Sequence, residues 1–334
     1  MRVIIPKDYQ SNKDILMTNI QIKKIKDFFE NNLSKTLHLT RVSAPLMVYA
    51  DTGLNDNLNG IERPVSFDIK QSNKEAEIVH SLAKWKRHSL LRYGFDHHQG
   101  LYTDMNAIRR DEELDNIHSI YVDQWDWELV IDSKQRNLET LKTIVNSVYQ
   151  VFKNTEQYVK DNVTDIDIRL PKQIYFITSQ ELENKYPELT AKEREYQICK
   201  EKEVVCIIGI GHYLTSGKKH DDRAPDYDDW NLNCDIIVYH PVLDIALELT
   251  SMGIRVDAVA MKAQLKLANC EYRKVYPFHQ DILNQKLPAT VGGGIGQSRM
   301  CMYFLRKAHI GEVQASLWDD ETYQVCKKNK IYLL

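Results

Sequence analysis

The sequence predicts an α+β fold built on a mixed, largely antiparallel β-sheet, and three observations carry that expectation. Residues 119–130, SIYVDQWDWELV, alternate with the period of two that only a strand gives. Shorter apolar runs of strand length recur further along, and segments of helical period lie before and between them. No internal repeat, low-complexity tract or long Pro/Gly/Ser linker interrupts the 334 residues, so a single unit spanning 1–334 is expected.

From 12 to 37, Ile15, Ile22, Ile25, Phe29, Leu33 and Leu37 recur at spacings of three, four or seven, the mark of an amphipathic helix. Residues 40–48, TRVSAPLMV, form a β-branched stretch broken by Pro45, which suits an edge strand or an interface. Residues 52–60, TGLNDNLNG, read as a loop by their Gly and Asn content. In 119–130 one face carries Val122, Gln124, Asp126 and Glu128, and the other Tyr121, Asp123, Trp125, Trp127 and Leu129. Such a strand lines a polar pocket on one side and packs on helices on the other. Runs at 204–210, 235–239 and 246–252 are expected in the same sheet, with helices at 137–160 and 257–267.

A 43% hydrophobic composition is ample for a buried core, and a formal net charge of -3 gives no global attraction to nucleic acid or anionic membrane. Only four apolar residues precede Lys7 and Asp8, too few for a signal-peptide core, and no stretch approaches the roughly 20 needed to span a bilayer. A cytoplasmic protein is therefore expected. Cys199, Cys206, Cys234, Cys270, Cys301 and Cys326 include no CxxC pair and no His at zinc-finger spacing, so they read as reduced thiols, mostly core fillers.

Three signatures occur in order. Val42-x-x-Pro45-Leu46-Met47 follows the long helix, and Arg109-Arg110-Asp111-Glu112 precedes the polar-faced strand around Gln124. The third, GGGIGQSR at 292–299, is a Gly-rich strand running into a helix and ending in Arg299. Glycines let backbone approach a nucleotide and an arginine supplies it a cation, although the same run also serves a tight turn with a solvent-facing Arg. Together the three resemble the motifs of class II aminoacyl-tRNA synthetases, which implies a dimer-forming first motif and a second-motif arginine on the ATP α-phosphate. Of Arg109 and Arg110, the family pattern favours Arg109.

Ser81 and Lys86, Glu248 seven residues before Arg255, and Gln124-x-Asp126-x-Glu128 resemble the amino-acid pocket of the aspartate-specific members. Odd spacing sends Glu248 and Arg255 to opposite faces of a regular strand, so a bulge or bend, expected near Gly253, must intervene if both reach one site. HSLAKWKR at 80–87, YVDQWDWE at 121–128, RAPDYDDW at 223–230, SMGIRVDA at 251–258 and GGGIGQSR resemble the ammonia-dependent asparagine synthetase (aspartate–ammonia ligase) family across most of the chain. The resemblance implies a class II synthetase-like catalytic fold, and an AMP-forming ligase that converts L-aspartate and ammonia to L-asparagine with ATP and Mg2+ through a β-aspartyl-adenylate, as a homodimer. It assigns Asp56, Lys86, Arg109 and Arg299 to catalysis, and Ser81, Lys86, Gln124, Asp126, Asp228, Ser251 and Arg255 to the substrate. It assigns Arg109, Asp235, Glu248, Gly294 and Arg299 to ATP, with Asp235 and Glu248 also on the metal.

The chain departs from the tRNA synthetases in that only about forty residues precede the first motif, too few for an OB-fold anticodon domain, so no tRNA partner is expected. With no N-terminal cysteine nucleophile and no second domain for glutamine hydrolysis, free ammonia is the expected nitrogen donor. One alternative is an aspartyl- or asparaginyl-tRNA synthetase-like core, whose tRNA binding would depend steeply on salt. Another is a non-catalytic amino-acid-sensing paralogue, against which Arg109, Glu248 and Arg299 argue, since a sensor needs no α-phosphate clamp. Blander readings stand beside the site residues. Lys84, Lys86 and Arg87 would by default form a solvated face, and Asp221, Asp222, Asp226, Asp228 and Asp229 a solvated acidic loop. Asp126 could be a buried carboxylate satisfied locally, Asp56 a turn residue, and His97–His98 a surface turn.

Overall fold

A computed structural model describes residues 3–58, 60, 62–164, 166 and 169–334. In chain order its elements are α1 Ile15–Thr36, β1 Leu39–Arg41, β2 Met47–Tyr49, β3 Ser66–Asp68, β4 Glu75–Ile78, α2 Ala83–Tyr93, β5 Gly100–Ile108, β6 Tyr121–Val130 and α3 Leu138–Asn162. There follow β7 Tyr175–Thr178, α4 Ser179–Lys185, α5 Ala191–Lys202, β8 Val204–Ile208, β9 Asp228–His240, β10 Ile245–Arg255, α6 Ala258–Leu267, α7 Pro277–Leu283, β11 Thr290–Gly296, α8 Gln297–Phe304 and α9 Asp320–Lys328. Eight strands form one sheet in the order β1-β5-β6-β11-β10-β9-β8-β7, and β2, β4 and β3 form a small second one. The inner pairings are antiparallel, whereas the outermost, β1 on β5 and β7 on β8, are parallel. The α+β expectation is met.

The alternation in β6 explains how the sheet divides its two faces. Trp125, Trp127 and Leu129 join the main core, beneath α1 and α3. Asp14 caps α1 by accepting from the Met17 amide at 2.8 Å, and the helix then turns Ile22, Ile25, Phe29 and Leu33 inward. The Phe29 ring lies 5.0 Å from Trp125 at 19°, and 5.0 Å from Phe152 of α3. An apolar helix face that would otherwise meet water is thus buried within the chain itself.

The expected elements all appear, with adjusted ends. The stretch 40–48 is two strands, not one: β1 takes the edge of the large sheet, β2 enters the small one, and Pro45 falls in the crossing between them. The run 204–210 stops at Ile208, since Gly209 and Gly211 turn the chain with φ of 79° and 120°. In 52–60 the expected loop is seen after a single 3-10 turn at Ala50–Thr52, with Asn59 outside the described residues. All six cysteines are free thiols, five of them buried. Among the described residues no helix is long and apolar enough to cross a membrane.

Because Phe29 is fully buried between two aromatic partners, Phe29→Ala is expected to cost about 3–5 kcal/mol of stability. Urea unfolding followed by tryptophan fluorescence measures this; a loss below 1 kcal/mol would mean that the α1 contact is not part of the core.

Candidate active site

The polar face of the central strands floors a cleft of about 530 Å³. Asp126 of β6 stands opposite Gly294 of β11, which stands opposite Ser251 of β10, which faces Asp235 of β9. One row along, Glu128, Gly292 and Gly253 follow the same order. A β-carbon on Gly294 would lie 2.6 Å from Gln124 Oε1 and 2.7 Å from Asp126 Oδ1, and one on Gly292 would overlap Glu128 Oε2. These two glycines therefore make room for the protein's own polar side chains, a reason different from the nucleotide approach expected of the motif.

Asp56, Ser81, Lys86, Arg109, Gln124, Asp126, Asp228, Glu248, Ser251, Gly294, Arg255 and Arg299 all line this cleft. Asp235 does not; its carboxylate pairs with the Arg223 guanidinium, which does line the cavity. The phase problem between Glu248 and Arg255 is solved four residues earlier than expected. Register shifts occur between Glu248 and Thr250 and again between Gly253 and Arg255, but Ser251, Gly253 and Arg255 already share a face. It is the bulge at Leu249 that brings Glu248 into phase with them.

Arg255 is 2% exposed and fully engaged. Its Nε donates to Glu128 Oε1 at 2.9 Å, its Nη2 to Glu128 Oε2 at 2.6 Å, and its Nη1 pairs with Asp228. Burial pushes the Glu128 carboxyl up, but Arg255, Lys86 and the Thr290 hydroxyl bring it below the usual range. Asp228 goes the other way: burial, with Glu128 close by, outweighs Arg255 and holds its carboxyl above the ordinary value.

Helix α2 overturns the solvated-face reading, as Lys84, Lys86 and Arg87 are all buried. Lys86 Nζ donates to the Gly293 carbonyl at 2.8 Å and lies 3.4 Å from Asp126 Oδ2. Burial and the Arg255 charge depress the Lys86 pKa against the pull of Asp126. Asp126 is a buried carboxylate satisfied within the chain, since it also accepts from the Leu82 amide at the start of α2, and it lines the cleft as well. The acidic run is likewise buried in part: Asp226 pairs with Lys84, Asp228 with Arg255 and Asp229 with Arg136, while Asp222 stays exposed. His97 and His98 remain a surface turn.

Asp56 is buried in its loop, where Oδ2 accepts from Ser81 Oγ at 2.8 Å and Oδ1 from the Leu58 amide at 2.9 Å. Arg109 makes no ion pair among the described residues and its buried Nε has no partner, whereas Arg110 is exposed and outside the cleft. Arg299 is held loosely, with Nη1 3.2 Å from the Glu248 carbonyl and 4.0 Å from its carboxylate. Burial and the nearby Glu248 charge raise Asp235 to about 6 despite Arg223, and its Oδ1 has no partner. Arg299, Arg223 and Lys192 outweigh burial to keep Glu248 below its usual range. No group of three or more His, Cys, Asp or Glu among the described residues is arranged to hold a metal. Of the two carboxylates expected on magnesium, Glu248 lines the cleft, whereas Asp235 is paired with Arg223 and does not.

The sequence reading missed Arg223 and Tyr227 as site residues, and it placed Glu128 on the pocket strand without its partner Arg255. Arg223 and Tyr227 lay in the quoted run at 223–230, and Glu128 lay on the polar face of β6, but nothing in their spacing showed which carboxylate each guanidinium would meet.

A family model described as aspartate-ammonia ligase matches residues 16–330. An aspartate–ammonia ligase of Clostridium perfringens is 62% identical over 334 residues, covering 100% of this chain and 99% of the relative. One from Ruminiclostridium cellulolyticum is 59% identical over 333 residues, covering 99% of each. Among solved structures, an Entamoeba histolytica asparaginyl-tRNA synthetase in complex with asparaginyl-adenylate superposes with a TM-score of 0.67 at 14% identity, over 91% of this chain and 67% of that one. The corresponding enzyme of Pyrococcus horikoshii gives 0.65 at 14%, over 90% and 70%. These two likenesses establish the class II synthetase fold.

Asp235 generates a pH prediction. With its folded pKa near 6 against an ordinary 3.8, the folded chain keeps a proton between those values that the unfolded chain has released, so stability falls as pH rises through that window. Asp235→Asn removes this slope, and its unfolding free energy relative to wild type should rise by roughly 2 kcal/mol from pH 4 to pH 7. Urea melts of both proteins across that range test it; a constant difference would mean that Asp235 ionises normally.

Proposed function

The chain belongs to the aspartate–ammonia ligase family and is an enzyme of asparagine synthesis, and we propose that this cleft forms the amide through a β-aspartyl-adenylate. The observation that carries the reading is the meeting of two chemistries in one cavity. The unpaired Arg109 and loosely held Arg299 await phosphates, while Arg255, Lys86, Gln124 and Asp126 offer partners for an amino acid's carboxylate and ammonium.

In the first step an oxygen of the aspartate β-carboxylate attacks the α-phosphorus of ATP, and the bond to the β,γ-diphosphate breaks. Arg109 meets the negative charge gathering on the α-phosphate, and Arg299 supports the nucleotide or the departing pyrophosphate; charge stabilisation and positioning supply most of the catalysis. Arg255 and Lys86 pair with substrate carboxylate, Asp126 takes the ammonium, and Ser81, Gln124 and Ser251 accept and donate around it. Asp228, already reluctant to ionise, yields its place on Arg255. Asp235 and Glu248 would hold magnesium, which supplies charge neutralisation on the phosphates when bound. In the second step ammonia attacks the acyl carbon and AMP leaves. An ammonium ion must first lose a proton, and in this reading Asp56, whose Oδ2 accepts from Ser81 Oγ, receives it.

The same reading includes a single catalytic unit over 1–334, a cytoplasmic location, no tRNA partner, and a homodimer. For the dimer the support differs from what the helix period implied, because the inward face of α1 is already buried. What remains uncovered is its first turns, with Leu16 72% exposed beside Ile15, Met17 and Ile20, together with Leu46 and Met47 near Pro45.

Aspartate, ATP and magnesium offered with ammonia, glutamine or tRNA in turn should give asparagine with equimolar AMP and pyrophosphate from ammonia alone. Stoichiometric ADP would overturn the adenylate, and aminoacyl-tRNA would favour the synthetase-core alternative. Light scattering at micromolar concentration should return twice the chain mass, and Ile20→Asp should return one; a wild-type monomer would remove the dimer from the reading.

A further inference from the structure

Asp226 is fully buried, carries a charge and lines no part of the cleft. Its Oδ2 lies 2.9 Å from Lys84 Nζ, 3.2 Å from Arg273 Nη1 and 2.9 Å from His279 Nε2. Burial pushes this carboxyl up, but Lys84, His279 and Arg273 together hold it well below the usual range. None of these four residues reaches the cleft, so none can touch substrate there. Yet the chain buries them, although buried ion pairs often cost more in desolvation than they return in attraction. What such a cluster does fix is geometry.

The geometry it fixes is the loop that carries Asp56. Lys84 Nζ has a second acceptor, the Asn55 carbonyl at 2.9 Å. The Asn55 side chain in turn accepts from the amides of Asp56 and His80, each at 2.9 Å, and donates to Glu77 at 2.8 Å. On the other side of the cluster, His279 and Tyr276 pack against Gly53, where φ is 72° and a β-carbon would lie 2.6 Å from Tyr276 Cβ. One carboxylate thereby joins α2, the 223–230 segment and the region around α7, and both ends of the Gly53–Asp56 turn rest on it.

We infer that Asp226, acting through Lys84 and the Asn55 carbonyl, is a positioning residue that sets the Asp56 carboxylate for the ammonia step. The inference rests on the reading of Asp56 as the group that receives the ammonium proton. It separates the two half-reactions, because Lys84 and Asp226 have no hydrogen bond or ion pair with Arg109, Arg255 or Arg299 among the described residues, and the tether reaches the cleft at the Asp56 loop.

Lys84→Met cuts the tether while leaving Asp226 with Arg273 and His279. Aspartate-dependent ATP–pyrophosphate exchange should stay within about threefold of wild type, while kcat/KM for ammonia falls roughly 10- to 100-fold, the loss that follows removal of one charge-assisted hydrogen bond. Deuterium uptake in a peptide covering 54–58 should rise, with that of α3 unchanged. The isosteric Asp226→Asn should give the same pattern, with exchange near wild type, a weakened ammonia step and greater uptake at 54–58. An equal fall of exchange and ammonia step, or unchanged uptake at 54–58, overturns the inference. Asp56→Asn is run beside them: if it leaves the ammonia step intact, the reading of Asp56 fails, and the uptake result still decides whether Lys84 and Asp226 position the loop.

Discussion

A guanidinium withdrawn from water and forked onto a carboxylate is the constraint around which this structure is arranged. Arg255 sits almost wholly buried at the end of β10, and its charge is tolerable there only because Glu128 meets it with two oxygens and Asp228 with a third. The neighbouring strand must then carry no side chain at Gly292, where a β-carbon would occupy the space of that pair, and Gly253 must leave room for Asp228. The Thr290 hydroxyl completes the shell by donating to Glu128 at 2.7 Å. Glycines that look like a loose, flexible run in the sequence are therefore the tightest part of the sheet.

Much of this was legible in the sequence, for a physical reason. Period-two alternation in β6 follows from the pleat, so the division of Trp125 and Trp127 from Gln124, Asp126 and Glu128 was readable without knowing any partner. The demand for a bulge between Glu248 and Arg255 was readable too, since it depends only on parity along one strand. Its place was not, because a bulge is located by the partner strand, and β9 loses register at Glu248–Thr250 as well as near Gly253.

What escaped the sequence is the fate of charge. Three basic residues in four on α2 look solvated, and five acids between 221 and 229 look like a surface loop. Their partners come from elsewhere in the chain: Lys84 and Asp226 are 142 positions apart, Asp229 and Arg136 93, and Arg87 donates to the Val256 carbonyl 169 positions on. Local spacing carries no trace of such pairings. Arg223 was missed in the same way, its pairing with Asp235 existing only once β9 and the preceding segment are folded together.

The central pairing of β6 with β11 has a consequence for how the molecule comes into being. Thr290 and Glu128 touch across 162 positions, and β11 is inserted between β6 and β10 after nearly nine-tenths of the chain has passed. Until β11 emerges from the ribosome, the inner edges of both half-sheets are open and Glu128 has not been joined by its cation. Long-range strand pairing is slow and leaves unpaired edges prone to association. The second half-sheet is complete only when β10 has been made at residue 255, so the two sheets stand side by side unfinished over the stretch between β10 and β11, and the last strand to be made closes them into one.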